Sequence, residues 1–175
     1  MNSNAISPPD AGDPQEVTHE AARLRERGHG AAAEALLRAA LASHPEHPEL
    51  RVALGLTLAE LGQDAEAFAL LQGVAEADRS RSDAILALGA LLLRNGRCED
   101  ALSFAEAVAL FDPAQAPAAL LLIGDAHRAA GSPATAGEAY READRLAPGQ
   151  PELMERIAEI EKDLSSPSSR AKARR

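Results

Sequence analysis

Apolar residues along this chain recur three and four positions apart and nowhere settle into strict alternation, which is the spacing of amphipathic helices rather than of strands. Ile85, Leu88 and Leu92, at i, i+3 and i+7, form one such stripe. Glycines follow the stripes at even intervals. Gly28, Gly62, Gly96 and Gly131 each stand where a helix should end, because glycine tolerates a left-handed cap, while Pro14, Pro48 and Pro117 suit the first turn of a new helix. A last amphipathic stretch, 151–164, sets Leu153, Ile157, Ile160 and Leu164 on one face and Glu155, Glu159, Glu161 and Lys162 on the other. Alanine and leucine dominate and β-branched residues are few, so the pattern predicts an all-α chain.

The helices come in pairs on a 34-residue frame that occurs four times, starting at Pro14, Pro48, Ser82 and Pro117. Its eighth positions are Ala21, Gly55, Gly89 and Gly124, and its twentieth are Ala33, Ala67, Ala101 and Ala136. Small residues there let two helices approach closely. The frame closes with Pro45, Pro113 and Pro148, Arg79 being the one departure, and Ala116 is the one extra residue between the third and fourth copies. A periodic array of this kind buries its apolar faces only by stacking neighbours, and its last face needs a lid. The expected organisation is four helix-turn-helix repeats at 14–47, 48–81, 82–115 and 117–150, closed by a capping helix at 151–164. The polar, Pro/Ser-bearing ends, 1–13 and the basic tail 165–175, are expected to be disordered.

These positions resemble the tetratricopeptide repeat, whose pattern reads W-x2-L-G-x2-Y, A-x3-F, P. Leu54-Gly55, Leu88-Gly89 and Ile123-Gly124 match its L-G pair. Leu58 and Leu92 stand where tyrosine is usual, and Leu71 and Tyr140 where phenylalanine is usual. The tryptophan is missing, Glu20 occupies the leucine position of the first copy, and His127 replaces an aromatic in the fourth. The resemblance covers 14 to 164 and implies an α-solenoid.

Charge and composition narrow the function. The formal net charge is −9, and the tail after Leu164 adds four basic and no acidic residues, so the repeats themselves are more acidic still. Such a surface repels phosphate backbones, and with 2% aromatic residues there is little to stack on bases, which argues against nucleic acid. No apolar stretch approaches the roughly 20 residues of a membrane span, and the start lacks a signal peptide's basic and apolar regions. One cysteine, Cys98, expected in a turn, allows no internal disulfide and suits a reducing cytoplasm. His44 and His47 have a metal-compatible spacing, but Pro45 and Pro48 place them in an inter-repeat turn. His19, His29 and His127 fall in three different repeats, so no catalytic constellation, metal site or cofactor is expected.

The resemblance implies a concave wall from positions two, five, six, nine, twelve and thirteen of each first helix. In the second copy these are Glu49, Val52, Ala53, Leu56, Ala59 and Glu60; in the third, Asp83, Leu86, Ala87, Ala90, Leu93 and Arg94; in the fourth, Ala118, Leu121, Leu122, Asp125, Arg128 and Ala129. Residues 84–93 (AILALGALLL) are apolar all round, the mark of a helix covered on both sides. Val52, Leu56, Leu86, Ala90, Leu93, Leu121 and Leu122 are the expected apolar contacts of a partner, with Glu60, Arg94, Asp125 and Arg128 setting register at the rim. Covering one leucine contributes roughly 1.5–3 kcal/mol, so about four or five suffice for micromolar binding after ordering costs. A carboxylate-clamp partner is not expected, because the clamp positions hold Val52, Leu56, Leu86, Ala90, Leu121 and Asp125, leaving only Arg94 and Arg128.

The expected function is therefore a non-enzymatic protein-binding module, a scaffold, adaptor or chaperone, that holds an apolar peptide or amphipathic helix. Size, acidity, the apolar wall and the proline-bounded stretch 112–117 are similar to small bacterial chaperones of this repeat family, including those of type III secretion. A homodimer joined through the same wall is the alternative.

Overall fold

The computed structural model describes residues 12–165, and among them nine helices and no strand are found. Residues 1–11 and 166–175, which carry most of the two ends expected to be disordered, lie outside the described residues. The helices fall into two compact units, one up to Arg79 and the other from Ser80. The first holds α1 (Pro14–Glu26), α2 (Gly30–Ser43), α3 (Pro48–Glu60) and α4 (Asp64–Ala77); the second holds α5 (Ser82–Arg94), α6 (Cys98–Phe111), α7 (Ala116–Ala129), α8 (Pro133–Leu146) and α9 (Pro151–Ser165).

Within each unit every helix packs on the next, and the first helices of successive pairs also touch, α1 on α3 and α5 on α7. Each pair turns on the same device. Gly28, Gly62, Gly96 and Gly131 have φ between 77° and 80°, and the following N–H groups of His29, Gln63, Arg97 and Ser132 donate to the carbonyls of Leu24, Leu58, Leu92 and His127 at 2.8–2.9 Å. That is a Schellman cap, which satisfies the orphan carbonyls of the first helix while turning the chain into the second. Asp13 caps the other end of α1 by accepting from the Gln15 N–H.

The alanines at position twenty, Ala33, Ala67, Ala101 and Ala136, are fully buried, and position eight is where the helices come closest. A methyl group built at Gly55 would lie 2.6 Å from Leu71 Cγ, and one at Gly124 would overlap the Tyr140 ring. The large residue of the second helix thus seats in the notch left by glycine in the first. In the third copy the corresponding residue of α6 is Ala105, too short to fill its notch, and Leu122 from α7 enters instead, 2.8 Å from a methyl group built at Gly89.

The expected stripe at positions four, seven and eleven is only part of the buried surface. Positions three and ten are buried as well: Leu50 and Thr57, Ala84 and Leu91, Ala119 and Ala126, Leu153 and Ile160. Ile85, at position four, is only half-buried. In α9 positions three and ten pack on Ala136, Tyr140 and Ala143 of α8, with Ile157 alongside, whereas Leu164, expected to face inward, is 38% exposed. Cys98, expected in a turn, is the first residue of α6 and half-buried.

Candidate functional site

The first unit carries three of the expected contact residues, all on α3. Val52 is buried, Leu56 half-buried and Glu60 exposed. Glu60 accepts a forked pair of hydrogen bonds from Arg25 of α1, Arg25 Nε lying 2.9 Å from its Oε2. Val52 is thus committed to packing within its unit, and Glu60 ties α3 to α1.

The second unit brings the other eight together on α5 and α7, which pack side by side. Leu86, Leu93 and Leu121 are half-buried and Ala90 and Arg94 are exposed. Leu122 is buried because it fills the notch at Gly89, so the expected contacts that still offer apolar surface are Leu86, Ala90, Leu93 and Leu121, the last also packing against the Tyr140, Leu153 and Ile160 cluster. At the start of α5 Asp83 accepts from Arg81 Nε at 2.9 Å and Nη2 at 2.6 Å, and from the Ala84 N–H. Partial burial pushes the Asp83 carboxyl upward, but these donors outweigh it and hold it below the usual carboxylate range.

Two polar residues of α7, Asp125 and Arg128, meet side chains of α9. Asp125 accepts a hydrogen bond from the Tyr140 hydroxyl at 2.6 Å and lies 3.1 Å from Arg156 Nε, an ion pair without the alignment of a hydrogen bond. Arg128 donates to Glu159, and Arg156 also reaches Glu152 at 3.5 Å. Burial, and then the adjoining Asp125 carboxylate, raise the pKa of Tyr140 well above its ordinary 10.0. The neutral phenol is therefore favoured in the folded chain. Stability that depends on it is present below pH 10 and is lost as pH rises from there toward the folded value. Tyr140 is the sole tyrosine of a chain without tryptophan, so its ultraviolet absorbance titrates one group. The expected curve has its midpoint above 10 and coincides with loss of helical ellipticity; a reversible midpoint at 10 in folded protein would refute the Asp125 contact.

Four residues of α9 were not expected at this surface. Glu152, Glu155, Arg156 and Glu159 line a shallow cavity of about 160 Å3, and two of them hold Asp125 and Arg128. The frame explains why. Pro151 lies one full period after Pro117, so these are positions two, five, six and nine of a fifth first helix, the positions that line the wall in the other copies. Extending the period by one step would have found them; reading α9 only as a lid puts Glu155 and Glu159 on an indifferent outer face. Among the described residues no group of three or more His, Cys, Asp or Glu stands together as a metal site, and no helix is long and apolar enough to cross a membrane.

Two family models, both described as tetratricopeptide repeat, match residues 24–82 and 86–151. No curated protein matches the sequence. Among solved structures, a thermophilic tetratricopeptide-repeat protein of Thermus thermophilus superposes with a TM-score of 0.78 at 22% identity, over 86% of this chain and 82% of that one. PilF of Pseudomonas aeruginosa gives 0.72 at 18% identity, over 85% and 68%. MamA from Desulfovibrio magneticus RS-1 gives 0.61 at 22% identity, over 91% and 100%. At these identities the likeness is one of fold.

Proposed function

The chain belongs to the tetratricopeptide-repeat family, whose members generally mediate protein–protein interaction, and we propose that it is a non-enzymatic module holding an apolar segment of a partner protein against α5 and α7. The observation that carries this reading is the surface of Leu86, Ala90, Leu93 and Leu121, apolar and only partly covered on two adjacent helices. A surface helix needs one apolar stripe, and α5 has apolar residues on every side. Leu56 on α3 offers a further apolar contact in the first unit. Scattered titratable groups and tight Arg–carboxylate pairs favour binding over catalysis, and the single thiol suits a cytoplasmic setting.

The test is a double variant, Leu86→Asp with Leu121→Asp. Leu86 is half-buried at the surface, whereas Leu121 is half-buried against the Tyr140, Leu153 and Ile160 cluster, so capture is compared only for protein that keeps the wild-type helical ellipticity, with Leu86→Asp alone as the milder variant. Partner capture should fall by more than about tenfold, since each carboxylate replaces a contact of roughly 1.5–3 kcal/mol. Unchanged capture by the folded variant would remove the groove reading. Loss of a chaperone or assembly client in the cell would specify the role further, and a dimer split by the same variant would mean that the apolar wall joins two copies.

A further inference from the structure

We infer that the second unit selects a partner segment in which an apolar stretch is flanked at one end by lysine or arginine, the apolar part lying on α5 and α7 and the cationic end over α9. This deepens the groove reading above and rests on it. The surface changes character from one helix to the next. Leu86, Ala90, Leu93 and Leu121 carry no charge, whereas the α9 side gathers Glu152, Glu155 and Glu159 around Arg156.

The charges on that side do not balance. Asp125, Glu152, Glu155 and Glu159 are four carboxylates, and the arginines among them are Arg128 and Arg156. Arg128 is taken by Glu159, and Arg156 is shared between Asp125 and Glu152. Glu155 is exposed and has no ion-pair partner among the described residues. Glu152 and Glu155 stand three apart and Glu155 and Glu159 four apart on one helical face, a spacing at which like charges repel and destabilise the helix. A cation placed among them relieves that repulsion as well as adding its own attraction, while an acidic segment meets it in full. The net charge of −9 adds long-range steering of cationic segments.

The experiment uses labelled synthetic peptides that share one leucine-alanine segment and carry lysines, glutamines or glutamates at one end, titrated against the full chain by fluorescence polarisation. The lysine-ended peptide is expected to bind roughly five- to tenfold more tightly than the glutamate-ended one, as a few partly screened ion pairs would give. That preference should shrink with added salt and should vanish in the Glu152→Gln, Glu155→Gln variant, while Leu86→Asp, Leu121→Asp should weaken all the peptides. Equal binding of all the peptides, still abolished by the leucine variant, would overturn the inference and leave the groove reading standing. Binding indifferent to the leucine variant, or none at all, would overturn both. A preference that emerges only when Arg170, Lys172, Arg174 and Arg175 are all changed to glutamine would assign the cationic seat to the chain's own basic end and likewise overturn the inference.

Discussion

Gly124→Ala is expected to cost about 3 kcal/mol of stability, at the upper end of what overpacking a core does, although it adds a single methyl group. The reason is that the added carbon would overlap the Tyr140 ring, and a fully buried ring cannot swing aside as the end of a long side chain can. Gly131→Ala provides the contrast. Its methyl group meets nothing within 4 Å, so it bears only the strain of a left-handed backbone, about 1–2 kcal/mol. Urea denaturation followed by helical ellipticity measures both. If Gly124→Ala proves no more costly than Gly131→Ala, the close approach of α7 and α8 is wrong.

Tyr140→Ala is expected to be the other severe lesion, about 3–5 kcal/mol, the range for removing a buried aromatic side chain. Tyr140 heads the fully buried side chains by volume and sits in one cluster with Leu153 and Ile160, so its removal opens a cavity beneath α9. Its hydroxyl is a smaller matter: Tyr140→Phe should cost about 1 kcal/mol for the bond to Asp125. The two sites also make a joint prediction with a change of sign. In the Tyr140→Ala background the obstacle to a methyl group at position 124 is gone, and alanine is about 0.5–1 kcal/mol better than glycine inside a helix. Gly124→Ala should then stabilise. If it remains as damaging there as in the wild type, the two residues do not share the notch.

The fold was readable because its tightest constraints fall on residue types with few substitutes. A positive φ at position fifteen asks for glycine, and the notch at position eight asks for glycine or alanine; the chain supplies them on a fixed period, and the models for tetratricopeptide repeats match the same stretches. What each apolar residue touches was less readable, because periodicity marks a stripe but not how wide it is. A first helix covered on more than one side buries Leu50, Leu91 and Ile160 in addition to the expected stripe. The expected wall shows the same limit. Leu121 and Leu122 are neighbours of identical chemistry, yet Leu122 enters the notch at Gly89 while Leu121 lies half-buried against the Tyr140, Leu153 and Ile160 cluster, and spacing alone shows neither the notch nor the cluster. Asp125 and Arg128 read as rim charges until α9 supplies Arg156 and Glu159 to meet them.

The notch at Gly89 ties the back of the second unit to its front. Ala105 lies mid-way along α6 at the frame position from which Leu71 and Tyr140 fill the notches at Gly55 and Gly124, and a side chain that short leaves the notch at Gly89 open to Leu122. A larger residue there would compete for the same space, and the displaced leucine would have nowhere to go but outward, beside Leu121. The apolar area offered to a partner is therefore set partly by a residue that no partner touches. Binding preferences in such a chain can drift through silent-looking changes in its core, without any substitution on the surface that does the binding.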